Sequence, residues 1–173
     1  MSYHEARAND TREKQLRIRE PISFSSLQAD LPQAGVFRVK VVYGEGIIKV
    51  EVAPYEMTSI HTLTRIHSDI LYDHKYTDRQ ALDDIYAQRG EADDVLIVKN
   101  GLVTDTTIAN VAFFDGQRWL TPTQPLLKGT FRARLLDRGA IREAEIEISA
   151  IERFQHVAIM NALRGMQIVS KVL

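Results

Sequence analysis

The 173-residue sequence has no cysteine, so it can build neither a disulfide framework nor a thiolate metal site. The absence of cysteine is also typical of proteins from a reducing compartment. The five histidines are scattered, and none of them forms the i, i+4 helical pair of a metalloprotease. The sequence therefore predicts a protein without a bound metal ion.

Long apolar segments are missing as well. No run approaches the roughly 18 apolar residues that a membrane helix needs, and segment 1–20 lacks the apolar centre of a signal peptide. Basic and acidic residues nearly balance, with a formal net charge of −1, so no basic excess attracts nucleic acid. We therefore expect a cytoplasmic protein that binds neither a membrane nor nucleic acid.

The loops that bind nucleotides or carry a hydrolase nucleophile are absent too. Gly44 and Gly46 stand between two strand-like runs without the third glycine of a dinucleotide-binding loop, which is typical of a turn. No Gly-x-Ser-x-Gly elbow occurs. Neither of these two common types of site is predicted.

What is present is a series of short strands. The predicted strands lie at 36–43, 47–52, 60–66, 95–98, 108–114, 119–120, 146–148, 157–160 and 167–169. The predicted helices lie at 4–19, 78–89 and 130–136, and Asn100-Gly101 is the strongest hairpin signal. Hairpin-connected strands with few helices indicate an α+β fold. A compositional shift near residues 54–60 separates a small N-terminal lobe, 1–58, from a larger C-terminal lobe, 59–173.

Local patterns add two details to the helices. The apolar stripe predicted for the second helix consists of Ala81, Leu82, Ile85 and Tyr86, with Asp78 as its cap. Ser149 and Glu152 have the spacing of a capping box, which predicts a further short helical turn.

Three polar segments, 72–79, 102–110 and 120–132, interrupt the apolar pattern. The first carries Lys75, the second carries Asp105, and the third brings Gly129 to a helix start. Such a start can bind an anion, because its N–H groups lack internal partners and the helix dipole is positive there. Each segment also has an ordinary explanation, namely a solvated lysine, a turn carboxylate and a helix cap.

The order of these elements resembles the class IV aminotransferases, which depend on pyridoxal 5'-phosphate (PLP) and include branched-chain and D-amino-acid aminotransferases and 4-amino-4-deoxychorismate lyase. The matching residues are Lys75 with Arg79, Val103-Thr104-Asp105 with Asn110, Thr121-Pro122, and the run from Leu127 to Arg132. Asn161-Ala162-Leu163 is similar to an element of the lyase branch, and the run from His4 to Arg7 is similar to the family's His-x-x-Arg. The resemblance implies a two-lobed fold type IV PLP enzyme with mixed, mostly antiparallel sheets and flanking helices.

The resemblance also implies roles for two central residues. Lys75 would form the Schiff base with PLP and move the α-proton of the substrate, which requires a lowered pKa. Asp105 would face the pyridine nitrogen and keep it protonated, so that the ring accepts electrons. The family usually has glutamate at this position, and the shorter aspartate reduces the reach towards the ring.

The remaining implied contacts hold the phosphate. After Gly129, the backbone N–H groups of Thr130 and Phe131 would bind it, although the family more often has Ile-Thr there. Arg7 would add a charge-assisted contact, and Asn161 would add a hydrogen bond. Because the His-x-x-Arg match starts at residue 4, the resemblance implies a shortened N-terminal lobe, through a misplaced start or natural trimming, with an exposed sheet edge beside Arg7.

The function implied by the resemblance is transamination or 4-amino-4-deoxychorismate lyase-like chemistry on an amino acid or an amino-chorismate-like substrate, in a homodimer. Arg38 and Lys40 are candidates to bind a substrate carboxylate, and the alternative is that they face solvent on a hairpin. A second hypothesis for the whole protein is a catalytically impaired PLP-binding relic that acts as a binding module.

Overall fold

The computed structural model describes residues 2–32 and 34–173, without the side chains of residues 28–30. Contacts within the chain group into two compact units, Met1–Thr58 and Ser59–Leu173. Among the described residues, no helix is both long enough and apolar enough to cross a membrane.

The first unit consists of helical segments followed by a two-stranded antiparallel sheet. Its elements are α1 (Ser2–Thr11), a π-helical turn (Arg12–Leu16), a 3-10 helix (Ser25–Asp30), β1 (Phe37–Tyr43) and β2 (Ile47–Pro54). The guanidinium of buried Arg12 donates to the carbonyl oxygens of Gly44, at 3.0 Å, and of Glu20 and Glu45. The bonds to Gly44 and Glu45 attach the helical segment to the β1–β2 turn, and the bond to Glu20 attaches it to the segment that follows the π-helical turn. The strands predicted at 36–43 and 47–52 are confirmed.

The second unit holds a nine-stranded sheet and two α-helices. Its strands are β3 (Thr62–His67), β4 (Asp94–Lys99), β5 (Leu102–Thr106), β6 (Asn110–Phe114), β7 (Trp119–Pro122), β8 (Ile141–Ala144), β9 (His156–Asn161), β10 (Gly165–Val169) and β11 (Lys171–Val172). The helices are α2 (Gln80–Tyr86), which continues as a 3-10 turn (Ala87–Arg89), and α3 (Thr130–Asp137), and a 3-10 helix (Ile148–Arg153) precedes β9.

The strands of the second unit are ordered β10-β9-β6-β5-β4-β3-β11, and β7 joins β6 to β8. The pairs β3–β4, β3–β11 and β7–β8 are parallel, and the other pairs in this sheet are antiparallel. A mixed sheet of this kind with few helices confirms the predicted α+β fold. The β5–β6 hairpin lies in the middle of the sheet, and it contains the polar run 102–110.

The centre of the core is β4, where residues 95–98 are completely buried. A short continuous apolar run is expected for a strand that is covered on both faces. Leu96 belongs to a cluster with apolar residues of β6 and β9, whereas Val95 and Ile97 pack with the buried side of α2. The sheet is therefore rigidly supported directly beside β5.

The strand predicted at 146–148 is wrong, because the strand of this region is β8, at Ile141–Ala144. Residues 146 and 147 contribute only an isolated bridge, in which the Val103 N–H donates to the Ile146 carbonyl oxygen at 2.8 Å. Ile146 is buried in the core, and the chain then turns into the 3-10 helix. A single buried isoleucine thus produced the alternation that is typical of a strand.

The helical turn predicted after Ser149 is confirmed as a 3-10 helix, but the capping box is wrong. No side chain caps this helix, and the Ser149 hydroxyl donates to the Glu147 carboxylate at 3.2 Å instead. In α2 only Leu82 and Ile85 are buried, because the helix has seven residues and presents one short side to the sheet. The N-cap of α2 is Arg79 and not the predicted Asp78, which precedes it and accepts the Gln80 N–H at 2.9 Å. The hairpin at Asn100-Gly101 is confirmed, with φ of 52° and 78°.

Candidate active site

Asp105 is the buried carboxylate at the centre of the second unit, with 3% of its surface exposed. It lies near the end of β5, and each of its oxygens accepts a hydrogen bond. Oδ1 accepts Nδ2 of Asn110 at 2.7 Å, and Oδ2 accepts the backbone N–H of Leu127 at 2.9 Å. Burial raises the pKa of Asp105 to about 7, against the opposing effects of the Leu127 and Asn110 hydrogen bonds and the Arg132 charge.

Asn110 connects Asp105 to the loop before α3. Its Nδ2 donates to the Leu127 carbonyl oxygen at 2.8 Å as well as to Asp105, so both amide protons are used. The amide also lies against Gly129, where an added Cβ would stand 1.9 Å from Oδ1 of Asn110. Gly129 has an ordinary extended backbone with φ of −67°, so glycine is required here for space and not for conformation.

The start of α3 is thereby held next to the buried carboxylate. Gly129 is the N-cap residue, and the first backbone hydrogen bond of the helix runs from the Ala133 N–H to the Gly129 carbonyl oxygen at 2.9 Å. The N–H groups of the first turn, including that of Phe131, precede this bond and point out of the helix start. Thr130 is buried, and the Phe131 ring packs beside the guanidinium of Arg134 at 4.6 Å.

Arg132 fixes the other side of α3. It is almost completely buried, and its Nη2 donates to the Pro122 carbonyl oxygen and to the Glu143 carboxylate, each at 2.7 Å. Thr121 is within 3.4 Å of its Nε and donates its own hydroxyl proton to the Val111 carbonyl oxygen at 2.8 Å. The helix start is therefore attached to β6, β7 and β8, which gives the site a rigid base.

Lys75 lies on an exposed loop, which a buried side chain of the same loop anchors in the core. Tyr72 is buried in the same apolar cluster as Leu127, and its hydroxyl donates to the Tyr76 carbonyl oxygen at 3.3 Å, across the loop. The Tyr76 N–H donates to the carbonyl oxygen of His74 at 3.0 Å. The loop that carries Lys75 thus shares its packing with the loop that binds Asp105.

Arg79 makes a direct link between these parts. It lies four residues after Lys75, and its Nη2 donates to the Thr107 carbonyl oxygen at 3.0 Å. Thr107 is buried in the connection between Asp105 and Asn110. The structure therefore brings the Lys75 loop, the Asp105–Asn110 pair and the α3 start into one contiguous region of the second unit.

Comparison with known proteins explains this arrangement. The sequence pattern of the family described as "Amino-transferase class IV" matches residues 48–172. The chain belongs to the class IV aminotransferase family. An uncharacterised Haemophilus influenzae protein is 37% identical over 145 residues, which cover 83% of this chain and 77% of that protein.

Further relatives agree with the fold. A protein of Schizosaccharomyces pombe named "Putative aminodeoxychorismate lyase" is 30% identical over 161 residues, covering 86% of this chain and 68% of that one. A crystal structure described as a "putative 4-amino-4-deoxychorismate lyase" from Haemophilus somnus superimposes with a TM-score of 0.88 at 28% identity, covering 95% of this chain and 89% of that one. The fold type IV architecture is thereby confirmed.

Asn161 of this class IV chain is engaged within its own hairpin. Its Oδ1 accepts the N–H groups of Leu163 and Arg164, each at 3.0 Å, and its Nδ2 donates to the Ile108 carbonyl oxygen at 3.2 Å. The side chain thus closes the β9–β10 turn and contacts the β5–β6 connection. A phosphate contact by Asn161 stays a prediction.

Three other predicted residues, Arg7, Arg38 and Lys40, belong to the first unit. Arg7 lies on α1, where its carbonyl oxygen accepts the Thr11 hydroxyl at 2.9 Å. Arg38 and Lys40 are exposed on β1, and Lys40 is 3.4 Å from the Glu51 carboxylate. Their proposed contacts with phosphate and substrate stay predictions.

Sequence reasoning missed one buried carboxylate that lies beside the candidate site of this class IV chain. Asp94, at the start of β4, accepts the Thr107 hydroxyl at 2.6 Å and the Val95 N–H at 2.8 Å. The available signal was an acidic residue at the beginning of a completely apolar run, where a carboxylate must be buried with partners.

Proposed function

We propose that this protein is a PLP-dependent enzyme that acts on an amino acid or an amino-chorismate-like substrate, by transamination or by 4-amino-4-deoxychorismate lyase-like chemistry. Members of the family bind PLP. The observation that carries the proposal is the buried Asp105 carboxylate, fixed through Asn110 and Leu127 to the glycine that starts α3.

The chemistry of these groups fits PLP. The cofactor combines an aldehyde, a basic ring nitrogen and a phosphate, which call for an amine, a carboxylate and a set of N–H donors. Lys75 supplies the amine, Asp105 the carboxylate, and the first turn of α3 the N–H donors of Thr130 and Phe131. Gly129 allows the helix start to lie against the Asn110 amide, since a side chain there would collide with that amide.

The raised pKa of Asp105 supports its pairing with a cation. Because burial is the largest cause of the shift, a positively charged partner would stabilise the carboxylate form and return the pKa towards its usual range. A protonated pyridine nitrogen is such a partner. Asp105 would therefore bind the ring and hold a proton at its nitrogen.

PLP, when bound, would supply the electron sink that makes the α-proton of an amino compound acidic. Lys75 would bind the aldehyde and then act through its Nζ as the base that removes the α-proton and as the acid that returns it. The phosphate contacts of α3 would orient the ring, with Arg7 and Asn161 as further proposed contacts. Arg38 and Lys40 are proposed for the substrate carboxylate.

Two observations favour amino-chorismate-like compounds as the substrate class. Asn161-Ala162-Leu163 is similar to the lyase branch, and two of the relatives carry lyase names. We propose further that the protein is a cytoplasmic homodimer.

One observation favours a second candidate, a PLP-binding relic that acts as a binding module. Both oxygens of Asp105 already accept a hydrogen bond, and the side chain is one methylene shorter than the usual glutamate. A carboxylate held in this way binds the ring nitrogen less directly than a longer one would. In a relic, PLP would bind without turnover.

The test is spectroscopic. The purified protein is titrated with PLP, and we expect a visible absorption band from its linkage to Lys75. Lys75→Ala should abolish this band, whereas Lys171→Ala, another exposed lysine of the second unit, should retain it. A wild-type protein that stays colourless in saturating PLP would contradict both candidate functions.

Substrates then separate the two candidates. D-alanine, a panel of L-amino acids and aminodeoxychorismate are added to the PLP-loaded protein. A substrate-dependent loss or shift of the band, with release of an oxo acid or of pyruvate and 4-aminobenzoate, identifies the reaction. A stable band with every compound supports the relic.

A further inference from the structure

Thr107 is held from two sides by charged residues of different elements. It lies in the turn of residues 106–109 that joins β5 to β6, where the Thr106 N–H donates to the Ala109 carbonyl oxygen at 2.9 Å. The Thr107 hydroxyl donates to Oδ1 of Asp94 at 2.6 Å, and its carbonyl oxygen accepts Nη2 of Arg79 at 3.0 Å. One buried residue therefore connects β4, the Lys75 segment and the turn.

The Asp94 carboxylate makes few hydrogen bonds besides the one with Thr107. It is 1% exposed, and Oδ1 accepts the hydrogen bonds from Thr107 and from the Val95 N–H, whereas Oδ2 is buried without a hydrogen-bond partner among the described residues. Burial raises the pKa of Asp94. A buried carboxylate is costly unless it is paired, so its retention beneath the turn requires a reason.

The turn directly connects Asp105 to Asn110. The register between β5 and β6 consists of the single pair Asp105–Asn110, because the chain turns immediately after it. β5 also pairs with β4 at Thr106, but with a single pair on the β6 side, contacts to residues 106–109 help to fix the turn. The Thr106 hydroxyl accepts the Ala109 N–H at 3.1 Å, and the two bonds of Thr107 attach the turn to its surroundings.

We infer that Arg79 and Asp94 are positioning residues, which hold Thr107 from two sides and so set the Asp105–Asn110 pair relative to the Lys75 loop. This inference rests on the proposed function. It assigns no reacting group, since both side chains act through Thr107. Arg79 is suited to the task because it follows Lys75 by four residues and joins the loop directly to the turn.

Three variants separate the two supports. Thr107→Val removes the hydroxyl and keeps the carbonyl oxygen for Arg79. Arg79→Ala removes the other bond, and Arg79→Lys retains a positive donor. Arg153→Gln, at an exposed arginine in the 3-10 helix before β9, is the matched control.

The first readout needs no cofactor. In the PLP-free protein we expect faster amide hydrogen exchange at Thr106 and Ala109 in Thr107→Val and Arg79→Ala, with exchange in residues 95–98 unchanged, because only the turn is released. Equal exchange in all variants, or an increase throughout the core, would overturn the inference.

The second readout is PLP affinity, measured by the visible band. Loss of one hydrogen bond that involves a charged group should weaken PLP binding about tenfold in Arg79→Ala and in Thr107→Val. Arg79→Lys should recover most of the affinity, and Arg153→Gln should match the wild type. The pH dependence of the band should also shift in the two weakened variants, because Asp105 no longer has a fixed position.

The outcomes distinguish this inference from the proposed function. If wild-type protein binds no PLP, the proposed function fails, and the exchange experiment still decides whether Arg79 and Asp94 hold the turn. If wild-type protein binds PLP and the Thr107→Val and Arg79→Ala variants bind it equally well, the inference fails and the function stands.

Discussion

The Asn110 side chain lies directly against Gly129, at the point where a Cβ would stand 1.9 Å from Oδ1. Neither partner can move easily. The Asn110 amide donates to both Asp105 and the Leu127 carbonyl oxygen, and Gly129 begins the helix. This contact joins the buried acid of the site to its candidate phosphate-binding element.

Gly129→Ala should therefore destabilise the protein and weaken PLP binding. A methyl group forced into a packed, hydrogen-bonded position typically costs about 1–3 kcal/mol in free energy of unfolding. Urea unfolding and PLP titration measure the two effects. Gly46→Ala is the control, since nothing lies within 4 Å of a Cβ there. Wild-type stability together with wild-type PLP affinity in Gly129→Ala would refute the tight contact.

Asp105→Asn should change the pH dependence of stability. The carboxyl has a pKa of about 7 in the folded protein and an ordinary value near 3.9 when unfolded, so the folded state keeps the proton longer. The contribution of Asp105 is thus fully present below about pH 4 and is lost as the pH rises to about 7, at up to about 1.4 kcal/mol per pH unit.

Urea unfolding at several pH values between 4 and 8 tests this sign. The difference in unfolding free energy between wild type and Asp105→Asn should move against the wild type as the pH rises. Saturating PLP should reduce the slope, because a cationic ring nitrogen lowers the pKa of the carboxyl. A pH-independent difference without PLP would show that burial does not perturb Asp105.

Arg132→Met should destabilise α3 and its connection to the sheet. The substitution leaves the Pro122 carbonyl oxygen and the Glu143 carboxylate without their donor, at a cost of about 1–3 kcal/mol. It also removes a positive charge that lowers the pKa of Asp105, so that pKa should rise further. Thermal and urea unfolding provide the measurement, with Arg138→Met, an exposed neighbour, as the control. Equal stability of both variants would contradict the structural role of Arg132.

Asn161→Asp separates a hairpin role from a phosphate role. Aspartate keeps the acceptor for the N–H groups of Leu163 and Arg164, so the β9–β10 turn should form, and it loses the donor to Ile108. If Asn161 contacts phosphate, the new negative charge should lower PLP affinity by more than tenfold, whereas stability should change by roughly 1 kcal/mol, the value of one hydrogen bond. Unchanged PLP affinity would remove Asn161 from the phosphate site.

The positions of most strands along the chain could be predicted from the sequence, because short apolar runs and turn residues act locally. The hairpin at Asn100-Gly101 is an example, since both residues adopt positive φ that the sequence pattern demands. The strand predicted at 146–148 failed for the opposite reason. Ile146 is buried by tertiary packing, the chain then forms the 3-10 helix Ile148–Arg153, and the alternation contributes only an isolated bridge.

The candidate site could likewise be predicted from the sequence only in part. Its residue types and their order along the chain were sufficient for the family, since Lys75, Asp105 and Gly129 follow one another in the family's order. Their partners could not be read from the sequence. Asn110 lies 17 residues from Leu127 and Asp94 lies 13 residues from Thr107, and no local pattern specifies such pairs.

The sequence by itself determined the α+β fold and the family, because local periodicity and motif order are properties of the chain. Only the tertiary structure decided that Asp105 is buried with a raised pKa, that Gly129 is required for space, and that Thr107 joins Arg79 to Asp94. Burial and hydrogen bonding depend on which segments meet in space. The packing of the whole sheet determines which segments come into contact.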